Sequence, residues 1–443
     1  MMENTPVNDI IIVTKTIKYR RCFLVKIIQQ LSAFDYEEIE ILGDLERVKL
    51  LIDNVPDETI IAKLEEIRGK GRNDYPIIPV WNSILIAPLI EATGIDSLRR
   101  ELSRNRDLRK LCGFNDADYY YGKCKLVPPP KAYSNMFKNL KMIEPLLKDT
   151  FRKLVDFMYD NLENFGVETA GDGKIFQGYA KTKDTKLTEF DARSETDADW
   201  TFKDHYYKDS KGVTKVKRTR FFGFRIHLLS DANYELPIEY VVTSASKSEA
   251  KITEQMILGM QMAHLEKIKA MMLDKGYDDT DLIQLLKSKE INPIIDICNM
   301  WKDGETTKQY KDTDIIYTYD GKVSIVVSPT ETVTLKYLGY DKVKNTLRYG
   351  YQDKVYSIDV SHDERVFTPV ARNTKKWKRL YNKRTSIERI NGRIDRDLGL
   401  ENNHIRGLSK ATVVVDLLMI AMLSMAKGHI KNKQHDKIRR LKS

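Results

Sequence analysis

Two rhythms of apolar and polar residues divide this chain. Up to about residue 160 the apolar positions recur every three or four residues, the spacing of amphipathic helices. Residues 1–75 read as mixed and mostly helical, ending in the polar stretch GKGRNDYP. Trp81–Gly94 is apolar and helical. LRRELSRNRDLRKL follows, with Leu98, Leu102, Leu108 and Leu111 at near-helical spacing and Asp96 or Ser97 as cap. Pro128–Pro130 break the chain, and Ser134 can cap a further helix, NMFKNLKMIEPLLKD. From Phe165 the rhythm shortens. FGVETAGD, RFFGFRIHLLSD, LPIEYVVTSAS, IKAMMLD and NPIIDI read as strands, with helices EAKITEQMILGMQMAHL and TDLIQLLKSKE between the later ones. Three early strands followed by strand–helix alternation predict an α/β fold, a mixed sheet with helices packed on it. After Cys298 come short strands, including the Asp320-Gly321 hairpin signal in IIYTYDGKVSIVV. The expected organisation is therefore a mostly helical segment (1–75), a helical domain (76–160), the first part of a sheet domain (161–298), a β-rich insertion (299–376), C-terminal helices of the sheet domain (377–426) and a basic tail (427–443).

Composition narrows the classes. Hydrophobic residues make up 42% and charged residues 31% of 443, which suits a globular protein. No signal peptide is visible, and Ala411–Ala426, the most apolar stretch, is short and contains Asp416, so it reads as a buried helix. Four scattered cysteines (Cys22, Cys112, Cys124, Cys298) form no C-x-x-C pair, as expected of a cytoplasmic protein. The net charge is +10, although residues 31–66 hold eleven acids against three bases. The basic excess therefore lies elsewhere and points to a polyanion, nucleic acid first. It is dense at Ala371–Arg384, with seven Lys/Arg and no acid, and at AKGHIKNKQHDKIRRLKS, read as a mobile tail that attracts phosphates. The arginines of residues 99–109 make a DNA-binding head plausible. Seven histidines lack H-x-H or H-E-x-x-H spacing, which leaves a histidine metal site without support.

Three acids stand where chemistry could gather. Asp172 ends the first strand in TAGDGK, Asp274 ends the fourth in MMLDKGYDD, and Glu388 follows the basic run. Functional groups collect beyond the carboxyl ends of parallel strands, so a sheet with its first and fourth strands adjacent would unite the two aspartates. Each acid also has a structural reading: a turn at Asp172-Gly173, a cap or turn at Asp274, an i−4 pair with Arg384 for Glu388. At about 100° per residue, Tyr381, Arg384, Glu388 and Asp395 share one helix face, and Ile387, Ile390, Ile394 and Leu398 form a separate stripe.

These residues resemble the DDE-type transposases of bacterial insertion sequences, which have a ribonuclease-H-like core. The resemblance runs from about Tyr75 to Ala426. It rests on SLRRELSRNRDLRKLCGF, DGK around Asp172, FFGFRIHLLSDANYELPIEYVVTSAS, MLDKGYDD, and Tyr381, Arg384 and Glu388 in a Y-x-x-R-x-x-x-E pattern. One departure is Asp395, where many members carry lysine; Arg393 and Arg396 stand near it as substitutes. The resemblance implies a ribonuclease-H-like mixed sheet flanked by helices, interrupted by a β-rich insertion, with a helical N-terminal domain. It implies DNA cleavage and strand transfer by in-line phosphoryl transfer. Asp172, Asp274 and Glu388 would hold two Mg²⁺ ions (Mn²⁺ substituting) about 3.5–4 Å apart. Tyr381 and Arg384 would contact a phosphate near the transposon end, with Lys375, Lys376, Lys378, Arg379 and Lys383 along the backbone. The expected partner is double-stranded DNA, as terminal inverted repeats and target, bound by a homodimer, with no membrane. Asp197, Asp199 and Trp200 may organise the site or serve structure alone, and Trp301 may stack on a flipped base or pack in a core. Two other readings stay open: a catalytically lapsed DNA-binding derivative, or another ribonuclease-H-like nuclease such as a junction resolvase.

Overall fold

In the computed structural model, which describes residues 43–70, 75–116, 125–182, 194–210, 212–402 and 404–442, one long strand organises the sheet. The readings of residues 1–42, of Cys22 and Cys124, and of much of the acidic block lie outside the described residues. Contacts separate the chain into residues 1–46 and 47–443; the description below concerns the second unit.

Its helical part comprises α1 (Glu46–Asn54), α2 (Glu58–Arg68), α3 (Ile77–Ile86), α4 (Ile95–Arg104), α5 (Arg106–Cys112), α6 (Pro130–Met142) and α7 (Glu144–Asn161). Trp81 of α3 is fully buried and donates its Nε1–H to Asp57 at 2.6 Å. Helix α4 is capped at Gly94, with Ser97 acting from inside the first turn (3.0 Å to Gly94 N). Ser134 lies within α6, which begins at Pro130, where the missing N–H costs nothing. NMFKNLKMIEPLLKD is two helices because Pro145 cannot donate back to the preceding turn. Among the arginines expected to face DNA, Arg109 is buried on Asp116 (3.0 Å) and the Leu102 carbonyl (2.6 Å).

The main sheet contains β1 (Glu168–Gln177), β4 (Asp199–Lys208), β5 (Thr214–Asp231), β6 (Pro237–Ser244), β7 (Ala270–Leu273) and β8 (Asn292–Ile295), in the order β4-β5-β1-β7-β8. The short β2 (Lys181–Thr182) and β3 (Ser194–Glu195) pair separately. Strand β5 pairs antiparallel with β1, β4 and β6, whereas β1, β7 and β8 run parallel. This is a mixed sheet, as the sequence pattern predicts. Strand β4 has no counterpart among the sequence-derived strands: DWTFKDHYYK interleaves charges without an apolar alternation, and its pairing is decided by β5. Helices α8 (Glu249–Gly259) and α9 (Thr280–Ser288) alternate with the later strands.

Residues 307–359 form seven strands, β9 (Thr307–Gln309), β10 (Ile315–Thr318), β11 (Val323–Ser328), β12 (Glu331–Thr334), β13 (Lys336–Asp341), β14 (Thr346–Tyr351) and β15 (Lys354–Asp359). Their two sheets share a core of Tyr317, Val323, Leu347, Ile358 and Phe367. The chain then returns through α10 (Lys375–Asn382), α11 (Thr385–Arg396) and α12 (Leu408–Lys431). Helix α12 is long and apolar enough to cross a membrane by length and composition, but 72% of its apolar window is buried inside the protein. Its Asp416 accepts the Tyr240 hydroxyl at 2.6 Å. The C-terminal segment read as a mobile tail is packed: Ile438 and Leu441 are buried, and Arg439 reaches Glu235 at 3.2 Å. Its two apolar side chains find a seat that their basic neighbours conceal in the sequence.

Candidate active site

Strand pairing brings the two aspartates together. β1 and β7 run parallel with Ala170 opposite Met272; two residues on stand Asp274, directly after β7, and Asp172, which does not end its strand as expected but lies in the middle of β1, because pairing with β5 carries β1 on to Gln177. Burial raises the Asp172 carboxyl above its usual range and the Asp274 charge adds to this, while the Gly173 N–H, Arg384 and Lys203 pull it back. Asp274 accepts the Gly276 N–H at 2.8 Å, which fixes the turn after β7.

Helix α11 lies across β1 with Ile387, Ile390 and Ile394 fully buried. Asn391 donates to Asp172 Oδ2 at 2.9 Å. Asp395 and Glu401 receive Lys174 at 2.5 and 3.5 Å. Asp395 is thus engaged by a lysine from the strand. Arg396 is held by the Gly392 carbonyl (3.3 Å). Arg393, expected on DNA, is buried, facing the Glu235 carbonyl and the Arg439 carbonyl. Its position on the apolar side of α11 takes it out of reach of a polyanion.

The helix expected through residues 380–400 is interrupted. Lys383 and Arg384 donate to carbonyls three residues back, a tightened turn that separates α10 from α11. Tyr381 stacks on Trp377 (4.8 Å between centroids). Arg384 lies over the Tyr381 ring at 5.8 Å and donates to Glu388 at 2.8 Å. Its ion pair with Glu388 holds the Arg384 charge firmly, and the Asp274 charge adds to this. The Glu388 side chain is 53% exposed and turned onto Arg384; Asp172, Asp274 and Glu388 are brought to one region without closing on a common point.

A fourth carboxylate, Glu249, went unseen in the sequence. It opens α8 and is held by the Arg225 guanidinium. Burial pushes it up to about 7, with Arg225 opposing and Asp274 and Asp172 adding to the rise. A Cβ on Gly173 would lie 2.4 Å from its Oε1, and one on Gly276 would lie 3.3 Å from its Oε2. The carboxylate therefore sits between the two backbone segments that carry the aspartates. The only hint in sequence was two glycines, one directly after Asp172 and one two residues past Asp274.

Other acids are accounted for. Asp197 and Asp199 hold the Leu408 N–H (3.0 Å) and the Ser246 hydroxyl (2.6 Å), a structural duty. Asp278 pairs with Arg365 at 2.7 Å, and Asp231 caps the β5–β6 turn. Glu254, Asp279 and Asp281 bring oxygens within 4.8 Å of one another, but the Lys251 ammonium already occupies them, 2.8 Å from Asp281 and 3.0 Å from Glu254. Trp301 is partly buried and packs edge-on to Tyr317 and Tyr319 under Lys308.

Beside α10 and α11 opens a cleft of about 670 Å³ lined by Lys375, Lys378, Arg379, Lys383, Arg389 and Arg439. Lys383 also reaches Glu168 and Asn233, and Lys376 is exposed outside the cleft. Arg389 and Arg439 join the expected bases here only through folding.

Residues 190–424 match the transposase DDE domain family. That is more than half of the chain, and the chain belongs to this family. The matched segment contains Asp274 and Glu388; Asp172 precedes it. Among solved structures, the piggyBac transposase in its cryo-EM synaptic complex with hairpin DNA is similar at a TM-score of 0.39 and 12% identity, over 91% of this chain and 78% of that one. No curated protein sequence matched.

Proposed function

We propose that this transposase cuts DNA at transposon ends and joins it to a target through metal ions held by Asp172, Asp274 and Glu388. The observation that supports the reading is the parallel β1–β7 register, with Ala170 opposite Met272, which makes neighbours of the segments that carry Asp172 and Asp274. Such a pair suits a divalent cation: its donors are oxygens, and burial together with mutual repulsion disfavours the double charge. Bound there, Mg²⁺ or Mn²⁺ supplies Lewis-acid activation of the attacking oxygen and charge stabilisation at the leaving oxygen.

The chain's own residues do the rest. Arg384 and Tyr381 take a phosphate beside the scissile bond. A phosphate that claims the Arg384 guanidinium releases Glu388 to turn toward the aspartates. Lys375, Lys376, Lys378, Arg379 and Lys383, with Arg389 and Arg439, hold the backbone without reading bases. Water attacks phosphorus in line for cleavage, breaking the P–O3′ bond and leaving a 3′-hydroxyl; that hydroxyl attacks a target phosphorus in line for joining, and the target strand's own 3′-oxygen leaves, taking up a proton. Two copies of the chain pair two terminal inverted repeats.

The test is cleavage of duplexes taken from the DNA flanking the coding region, with Mg²⁺ and with EDTA. Metal-dependent cutting at one end sequence, abolished by Glu388→Gln with DNA affinity retained, is the expected result. Tight binding without cutting under any divalent metal would overturn it.

A further inference from the structure

The end of strand β5 leaves the sheet. Its pairing with β1 stops at Gly223 and with β6 at Phe224, yet β5 begins at Thr214. Residues 214–221 pair only with β4, Lys208 opposite Thr214 through Thr201 opposite Phe221. The result is a two-stranded ribbon extending about 26 Å beyond the sheet at the usual rise per residue.

Its surface is unlike a solvated hairpin. Trp200, Phe202, Tyr207 and Val216 are all about half exposed. Arg218 and Arg220 lie over the Phe202 ring at 5.6 and 5.8 Å. The ribbon's acids are already engaged, Asp204 by Arg218 (2.7 Å) and Asp209 by Lys215 (3.1 Å). Lys203, Lys208, Lys217 and Arg220 have no described carboxylate partner. Thr201, at the root, accepts from the Arg225 guanidinium at 3.2 Å, and Arg225 holds Glu249 between the segments that carry the aspartates, so the root of the ribbon stands beside the aspartate pair. Charges on open strand edges can serve merely to prevent edge-to-edge pairing. That purpose explains the lysines but not the exposed aromatic rings, which a guarded edge would omit.

We propose that this ribbon is an arm that grips duplex DNA next to the aspartate pair, its lysines and Arg220 on phosphates and its aromatic rings against sugars. A two-stranded ribbon fits the major groove, about 12 Å wide, and cations interleaved with aromatic rings suit a nucleic-acid surface. The inference rests on the DNA-cutting reading for its partner, and adds a contact surface distinct from the bases of α10 and α11.

The test uses the full chain and a K208Q/K217Q/R220Q variant, titrated with fluorescent duplex DNA from 50 to 200 mM KCl. Three lost phosphate contacts lower the slope of log affinity against log salt by about 2.7, at roughly 0.9 per contact. Metal-dependent cutting at saturating DNA persists. An unchanged slope with intact wild-type binding overturns the arm and leaves the active-site reading standing. A variant that changes the sedimentation coefficient but not the slope makes the ribbon a self-association surface, and also overturns it. Ribbon-dependent binding without any cutting sinks the active-site reading and leaves the arm.

Discussion

Gly173 stands where one methyl group would reach the Glu249 carboxylate. Gly173→Ala is expected to push Glu249 or the Asp172 strand aside, at about 1–3 kcal/mol of stability. A drop of several degrees in melting temperature, with weaker Mn²⁺ binding by paramagnetic resonance, would report it; an unchanged Mn²⁺ affinity would mean that Glu249 does not position the aspartates. Asp172→Asn removes a buried charge from beside Asp274. In EDTA the variant should melt higher than the wild type, and with Mg²⁺ it should cut DNA at least a thousandfold more slowly. A lower melting point in EDTA would show that burial and the Asp274 charge do not burden the ionised Asp172.

At the scale of elements, helix α12 carries Asp416 in the interior, where burial raises its carboxyl to about 7 against the pull of Tyr240 and Lys148. The folded value lies above the unfolded one. The stabilisation from protonated Asp416 is thus complete below about 3.8 and is lost as pH rises through about 7. Asp416→Asn keeps an acceptor for the Tyr240 hydroxyl and removes that loss. The stability of the variant relative to the wild type should therefore climb between pH 5 and pH 8 by something on the order of a few kcal/mol. Denaturant melts at the two pH values read the difference, and parallel profiles would count against a protonated Asp416. In α11, Ile394→Ala at a fully buried position should cost about 2–5 kcal/mol, visible as a shifted urea midpoint.

For the whole molecule the governing quantity is where the positive charge gathers. Lys378, Arg379 and Arg389 line one cleft although they come from two helices. Replacing all three with Gln should reduce the salt slope of DNA binding by about 2.7, in the same measurement that tests the ribbon. Arg393→Gln should instead leave the slope unchanged and lower stability, because its guanidinium faces the Glu235 carbonyl inside the protein. A slope that moves with Arg393 would mean that this buried arginine is reached by DNA after all.

What the sequence determined by itself is what local pattern encodes. The Ile387, Ile390, Ile394 and Leu398 stripe marked the buried side of α11, and the alternation from Phe165 to Ile297 marked a mixed sheet with Asp274 at a strand end; Asp172, expected at the end of its strand, stands in the middle of β1. The sequence also marked the basic run that follows Ala371. Tertiary structure decided everything that depends on distant segments meeting. The β1–β7 register makes neighbours of Asp172 and Asp274; Arg225 on β5 holds Glu249 on α8 between their backbones; Lys174 answers Asp395. Pairing with β5 makes a strand of β4, whose interleaved charges carry no period of their own. Burial of Arg393, Ile438 and Leu441 likewise follows from which surfaces face them, because a side chain's exposure is set by neighbours that lie tens or hundreds of residues away.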